Sequence, residues 1–280
     1  MNLREYIALF NAEDKEYCPT DIGNAECEEW LENEIPKLEC SDKDTERTYY
    51  FRWWVYRKHL KKTPEGFVVT EFLPDVPWSG KYNVINAAAG HHIMEGRWLK
   101  NADIYLNDYI RFLLNHAHEG TQYSSFTLWA TKEFHAVTGK ADIPAFLPKA
   151  KALYADFERE HGRRVMWIDE SGTPDTHCWC SRKVLKENGW PKDKGGFERG
   201  KDYNHSTFCD LVISALSGVE YKNGALSFVP VIPDSMEYFS IDDLCIQGNR
   251  YRIVFDHTGN KYGKMGTFVY KNWGIIYSHM

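Results

Sequence analysis

The sequence predicts a mainly α protein that ends in a small antiparallel β module. Two patterns carry that prediction. Up to residue 217, apolar residues recur at helical spacing in segment after segment. After Gly218 the chain changes to short β-prone runs separated by turns. A third observation bounds the size: 280 residues are enough for one large domain or two small ones, with a proper core.

Taken in order, helices are expected over 2–10, 23–35, 43–62, 83–99, 101–116, 123–138, 144–161, 180–188 and 203–217, each to within about three residues. Ser41 and Asp42 precede the third as capping residues, and Pro144 opens the seventh. Gly139 and Gly162 follow the sixth and seventh as C-caps. Leu106, Ile110, Leu113 and Leu114 share one helix face; so do Leu147, Ala150, Leu153 and Phe157. The later runs LSFVPVI, YFSID, CIQG, YRIVFDHTG and TFVYKN read as strands, with a hairpin turn at His257–Asn260. The chain therefore divides into a helical domain, 1–217, and a β-rich module, 218–280. Antiparallel helical hairpins build a bundle, a solenoid or a toroid.

Composition narrows the function. Thirty-four basic against 40 acidic residues give a net charge of −6. Nucleic acid and anionic membrane partners both need a basic face, so neither is expected. No apolar run approaches the roughly 20 residues of a membrane span. The acidic N-terminal stretch lacks the features of a signal peptide, which points to the cytoplasm. The seven cysteines read as reduced thiols. Aromatic residues make up 15% of the chain, which serves core packing and also the stacking of rings on sugar C–H faces.

Four stretches carry chemistry. AAAGHHIMEGRWL lies on a helix and offers His91, His92, Glu95 and Arg97. At spacings of four and three, His91, Glu95 and Trp98 share a face. The residues leave open a metal site that lacks a third ligand, a structural His–Glu hydrogen bond, and a polar pocket wall. Glu170, in MWIDESGTPDT, sits on a loop, as a catalytic carboxylate or a solvated one. GWPKDKGGFERGKDYNHSTF brings Glu198, Arg199, Tyr203, Asn204 and His205 together, or starts a helix that Asn204 or Ser206 caps. Its glycines fit neither phosphate-binding pattern. YYFRWWVYRKHL alternates aromatic and basic residues and reads as a helix in an aromatic core.

Together, ERTYYFRWWVYRKHLKKTPEGFVVTEFL, VPWSGKYNVINAAAGHHIMEGRWL, YSSFTLWATKEFHAVTG, WIDESGTPD and GGFERGKDYNHSTFCDLVISALSGV resemble the mannosylglycerate-hydrolase-like glycoside hydrolases, relatives of glycoside hydrolase family 63 and of trehalases. The resemblance implies a six-hairpin (α/α) toroid with the site at its centre. It also implies inverting hydrolysis of a carbohydrate substrate, with no metal and no organic cofactor. Inversion needs two carboxyl groups roughly 6.5–9.5 Å apart, one protonating the leaving oxygen and one activating water. Glu170 matches the family's base, in a W-x-x-E-x-x-x-P-x-T loop. The resemblance makes Trp78, His91, His92, Glu95 and Arg97 the wall of a sugar pocket, joined by Tyr203 and His205.

One departure stands out. The family carries a middle section with its acidic aspartate, and this chain passes directly from Gly162 to Arg163. Nine expected helices are also fewer than a twelve-helix toroid needs. The sequence therefore reads as a toroid with an internal deletion near 162/163 and impaired catalysis. The rival readings are a carbohydrate-binding remnant without activity and a degraded gene product with no stable fold.

Overall fold

Helix α1 (Leu3–Glu13) opens with a capping box, in which Asn2 accepts from the Glu5 N–H at 3.0 Å and Glu5 accepts from the Asn2 N–H at 2.9 Å. The structure, a computed structural model, describes residues 1–116, 126–161, 202–222 and 225–279. Helix α2 (Cys27–Glu34) leads into β1 (Lys37–Cys40), and Asp42 caps α3 (Lys43–Lys58) by accepting from Asp44 and Thr45 N–H at 3.0 and 3.1 Å. Tyr49, Trp53 and Tyr56 of α3 are fully buried, and Tyr50 and Phe51 meet Tyr6 and Phe10 of α1. The aromatic–basic helix is thus core, each large side chain contributing about 1.5–3 kcal/mol by burial.

The sequence pattern carries this helix to residue 62, but it stops at His59. Leu60–Thr63 (β2) pairs antiparallel with Gly66–Val69 (β3) around Pro64 and Glu65. Proline disfavours helical backbone at the residue before it, and the β-prone GFVV supplies a partner strand. The hairpin returns the chain to α3, where Thr70 N–H donates to the His59 carbonyl at 3.0 Å.

Next come α4 (Asn86–Gly96), α5 (Ala102–Asn115), α6 (Thr127–Thr138) and α7 (Ile143–His161). Helix α4 packs mainly on α6, while α5 packs on α7 and β3. Leu106, Ile110, Leu113 and Leu114 are buried, as their spacing predicts. Gly139 ends α6 in the left-handed conformation (φ 70°), its N–H donating to His135 O at 2.7 Å. Gly162 and the expected helix 180–188 lie outside the described residues. Ala150 and Leu153 of the expected α7 face pack on the core, but Phe146 is buried in place of Leu147, which is 50% exposed; the Phe157 side chain lies outside what the structure describes. The larger Phe146 ring takes the core position.

Residues 203–207 are not helical. The helix starts later as a single turn, α8 (Phe208–Leu211), followed by a π-helical turn over Val212–Leu216. Beyond it, β4 (Val219–Lys222) and β5 (Ala225–Phe228) form one hairpin. The main sheet is antiparallel and ordered β1-β6-β7-β8-β9, with β6 (Tyr238–Ile246), β7 (Asn249–Asp256), β8 (Gly266–Lys271) and β9 (Gly274–His279). Strand β1 pairs with β6 across about 200 residues of chain, Leu38 opposite Ile241. The loop after β7 runs from 257 to 265, longer than a tight hairpin. Asp256 organises it by accepting from the N–H groups of Thr258, Gly259, Lys261 and Tyr262. Phe239, Ile241, Leu244, Ile253 and Val269 join the helical side in one core.

The protein is therefore mainly α with a small antiparallel sheet. Among the described residues, no helix is long and apolar enough to cross a membrane. Five of the cysteines are described, and all five are free thiols.

Candidate functional site

The site is built where the β2–β3 hairpin, the start of α4 and the 202–207 segment meet. The hairpin delivers Thr70 and Glu71 beside the end of α3. Asn83, at φ 66°, holds the following loop by donating to Phe72 and Pro74 carbonyls at 2.8 and 3.1 Å and accepting from Val76 N–H at 3.2 Å. That bracing fixes Phe72 and Trp78.

Residues 202–205 run alongside, with Asn204 N–H donating to Glu71 O at 3.0 Å. In an extended segment successive side chains alternate between faces. Tyr203 and His205 accordingly share one side and Asn204 is buried on the other. The Tyr203 hydroxyl donates to Glu71, and His205 Nδ1 lies 3.0 Å from the same carboxylate oxygen. Glu71 is itself buried, so it orients both groups.

These side chains join into a continuous ribbon of rings. Trp78 meets Phe72 edge-on at 5.9 Å, and Phe72 meets Tyr203 at 5.0 Å. Tyr203 lies 5.7 Å from His205, His205 lies 4.5 Å from His91, and His91 meets Phe126 at 4.8 Å. Phe126 passes the ribbon to Trp129, 6.0 Å on and half exposed. Trp78, His91, Phe126, Tyr203 and His205 are all partly exposed. Gly90 lets Phe126 close on the helix, since a Cβ there would stand 2.7 Å from the ring. Burial, with a smaller push from His205, lowers His91 to a pKa of about 4, so it is neutral near pH 7. Its Nδ1 is buried without a hydrogen-bond partner.

Of the residues expected at a sugar wall, Trp78, His91, Tyr203 and His205 come together on this surface. His92 and Glu95 do not reach it. They are fully buried beneath it, because the helix turns His92 toward Asn204 and α5 and Glu95 toward α3 and α8. His92 Nε2 donates to Asn204 O at 2.6 Å and its Nδ1 faces the Tyr109 hydroxyl at 3.1 Å. Glu95 accepts from Cys209 N–H at 3.0 Å, and its second oxygen lies 3.8 Å from Arg52 Nη2. Arg97, at the C-cap of α4, binds Asp210 at 2.7 Å and Glu133 at 3.5 Å, and lines a separate pocket of about 280 Å³ with Trp129. Glu170, Glu198 and Arg199 lie outside the described residues. Among the described residues, no group of three His, Cys, Asp or Glu side chains is arranged to hold a metal.

Three functional candidates escaped the sequence pattern: Glu71, Phe72 and Arg52. Glu71 sits in VVTEFLPD with nothing local to mark it, and its partners are more than 130 residues away. A cleft of about 720 Å³ lies elsewhere, between α1 and α3. Its buried carboxylates Asp14 and Asp202 are both bound to Lys58.

Burial pushes the Glu95 carboxyl up to about 7, against the opposing pull of Arg52. Folded Glu95 therefore holds a proton that the unfolded chain releases near 4.5. Its contribution to stability is full below that value and is lost as pH rises through about 7, on the order of 3 kcal/mol in all. Neutral buried His91 and His59 slope the opposite way, losing stability as pH falls. The difference between wild type and Glu95→Gln isolates Glu95. Thermal unfolding from pH 5 to 8 should show that difference changing steadily with pH; a constant difference would refute this assignment.

The family model for the mannosylglycerate hydrolase MGH1-like glycoside hydrolase domain matches residues 81–224. A solved structure named "Sialidase" superposes with a TM-score of 0.71 at 19% identity. The likeness covers 98% of this chain and 44% of that one, so this chain spans less than half the sialidase's length. At that identity the likeness concerns the fold. No curated protein matches the sequence.

Proposed function

This chain belongs to the mannosylglycerate hydrolase MGH1-like glycoside hydrolase family, and on that premise we propose that it binds a glycoside along the ring ribbon and hydrolyses it slowly, with inversion. The family supports a carbohydrate-active role. The ribbon Trp78–Phe72–Tyr203–His205–His91–Phe126 is the observation that carries the reading. Flat rings meet the apolar C–H faces of a pyranose, while Glu71 and the histidines offer polar partners to its hydroxyls. His92 and Glu95 support this surface from below, and Arg97 belongs to its flank beside Trp129.

The helical part is read as an incomplete (α/α) toroid. The packing of α4 on α6 and of α5 on α7 supports this, since inner and outer helices of a toroid each meet the next of their own ring. Glu170 is the general base on the strength of the family resemblance. The chain has no match to the family's acidic aspartate. General acid help is worth typically about 10²–10⁴-fold, so hydrolysis of ordinary glycosides is slow by that factor.

Binding tests the ribbon. Titration calorimetry against a panel of mono- and disaccharides should find a ligand, and Trp78→Ala should weaken it about tenfold, the equivalent of 1.4 kcal/mol. Unchanged affinity in folded Trp78→Ala would remove the sugar from this surface.

A further inference from the structure

The segment that carries Tyr203 and His205 is held in an unusual way. Three consecutive main-chain carbonyls are each taken by a different buried or nearly buried side chain. His59 Nε2 donates to Asp202 O at 2.6 Å, Arg52 Nη1 donates to Tyr203 O at 3.3 Å, and His92 Nε2 donates to Asn204 O at 2.6 Å. Both imidazoles are neutral because burial lowers their pKa values, so each has one N–H to give, and both give it to this segment. The carbonyls at Nε2, which can only accept, fix the tautomers, and each Nδ1 then accepts from a hydroxyl, of Thr70 and of Tyr109, at 3.1 Å. Arg52 alone makes a second bond, from Nη2 to Asn204 Oδ1 at 3.1 Å. Asn204 in turn donates to Thr70 O at 3.4 Å and to Glu71 O through its N–H.

We propose that Arg52 is a positioning residue for the sugar surface: its fork grips Tyr203 O and Asn204 Oδ1 and so sets the Tyr203 hydroxyl and the His205 ring against Glu71. The role rests on the functional reading above, and Arg52 itself needs no contact with ligand. A guanidinium suits it because two rigid N–H groups meet a carbonyl and an amide oxygen at once, which the single point donor of lysine does not match. Glu95 lies behind the fork, 3.8 Å from Nη2. His59 and His92 fix the carbonyls on either side, so loss of Arg52 frees the middle of the segment while its ends stay anchored. The Arg52 side chain is 12% exposed, which opens the space it leaves to small solutes.

The test uses the full chain with isotope-labelled tyrosine and histidine, first without ligand. In Arg52→Ala the ring resonances of Tyr203 and His205 should shift and broaden, while those of Tyr238 in β6 and His257 in the loop after β7 stay in place. Millimolar guanidinium, far below denaturing levels, should restore them, and methylammonium should not. Affinity for the glycoside found in the panel should fall about tenfold and return with guanidinium. Arg52→Lys serves if the alanine variant does not fold, and it should show the same displaced rings. Unmoved Tyr203 and His205 resonances in a folded Arg52 variant would overturn the proposal, as would a displacement that guanidinium leaves uncorrected in Arg52→Ala. Failure of the wild type to bind any sugar, with the ring response still present in Arg52→Ala, would overturn the functional reading and leave the positioning role standing.

Discussion

Glu170→Gln should lower hydrolysis of a glycosyl fluoride by about 10²–10⁴-fold and leave affinity for the sugar within about twofold. Fluoride departs without needing a proton, so this substrate isolates the base from the missing acid. The amide keeps the shape of the carboxylate and removes its basicity, so only the step that activates water suffers. Initial rates at saturating substrate measure the effect, with calorimetry for binding. Equal turnover in the two proteins would take the base role from Glu170. An equal loss of binding and turnover would make it a sugar ligand instead.

Lys58→Met should destabilise the fold by about 3–5 kcal/mol. The Lys58 ammonium lies 2.9 Å from Asp14 and 2.8 Å from Asp202, and all three side chains are buried. It also stands 4.4 Å from the Trp54 ring centroid. Methionine fills the space but leaves two carboxylates in a low dielectric without their cation. The cost is that of uncompensated charge, larger than the net worth of the ion pair itself. Chemical denaturation measures it. Adding Asp202→Asn to Lys58→Met should recover part of the loss, because one orphaned charge is then gone. A loss below about 1 kcal/mol would show that the carboxylates reach water or take up protons at little cost.

Much of the helical layout was legible because it rests on local periodicity and caps. Leu106, Ile110, Leu113 and Leu114 mark α5, Asp42 caps α3, and Gly139 ends α6. What escaped depends on partners far along the chain. Strand β1 is four residues long and exists only because β6 pairs with it. Residues 60–62 follow a strongly helical segment, yet they turn into β2 because β3 is there to receive them. Asn204 looked like a helix cap, and instead spends its side chain on Arg52 and Thr70. The same logic explains the site. Trp78, His91, Tyr203 and His205 were legible as residue types in unusual local clusters. Glu71 and Arg52 were not, since their importance comes from contacts with the 202–205 segment, more than 130 residues later. The face assignment on α4 erred in one respect: His91 and Glu95 share a helix side at spacing four, yet His91 reaches the partly exposed ribbon while Glu95 is sealed under α8.

The most direct test compares two substrates of one sugar, a glycosyl fluoride and the corresponding alkyl glycoside, with the purified wild-type chain and the anomer of the released sugar read by NMR. The account predicts that the fluoride is hydrolysed with inversion and that the alkyl glycoside reacts slower by at least the roughly 10²–10⁴-fold that general acid help is worth. Alkyl glycoside cleavage at the fluoride's rate, or a product of retained configuration, would contradict it.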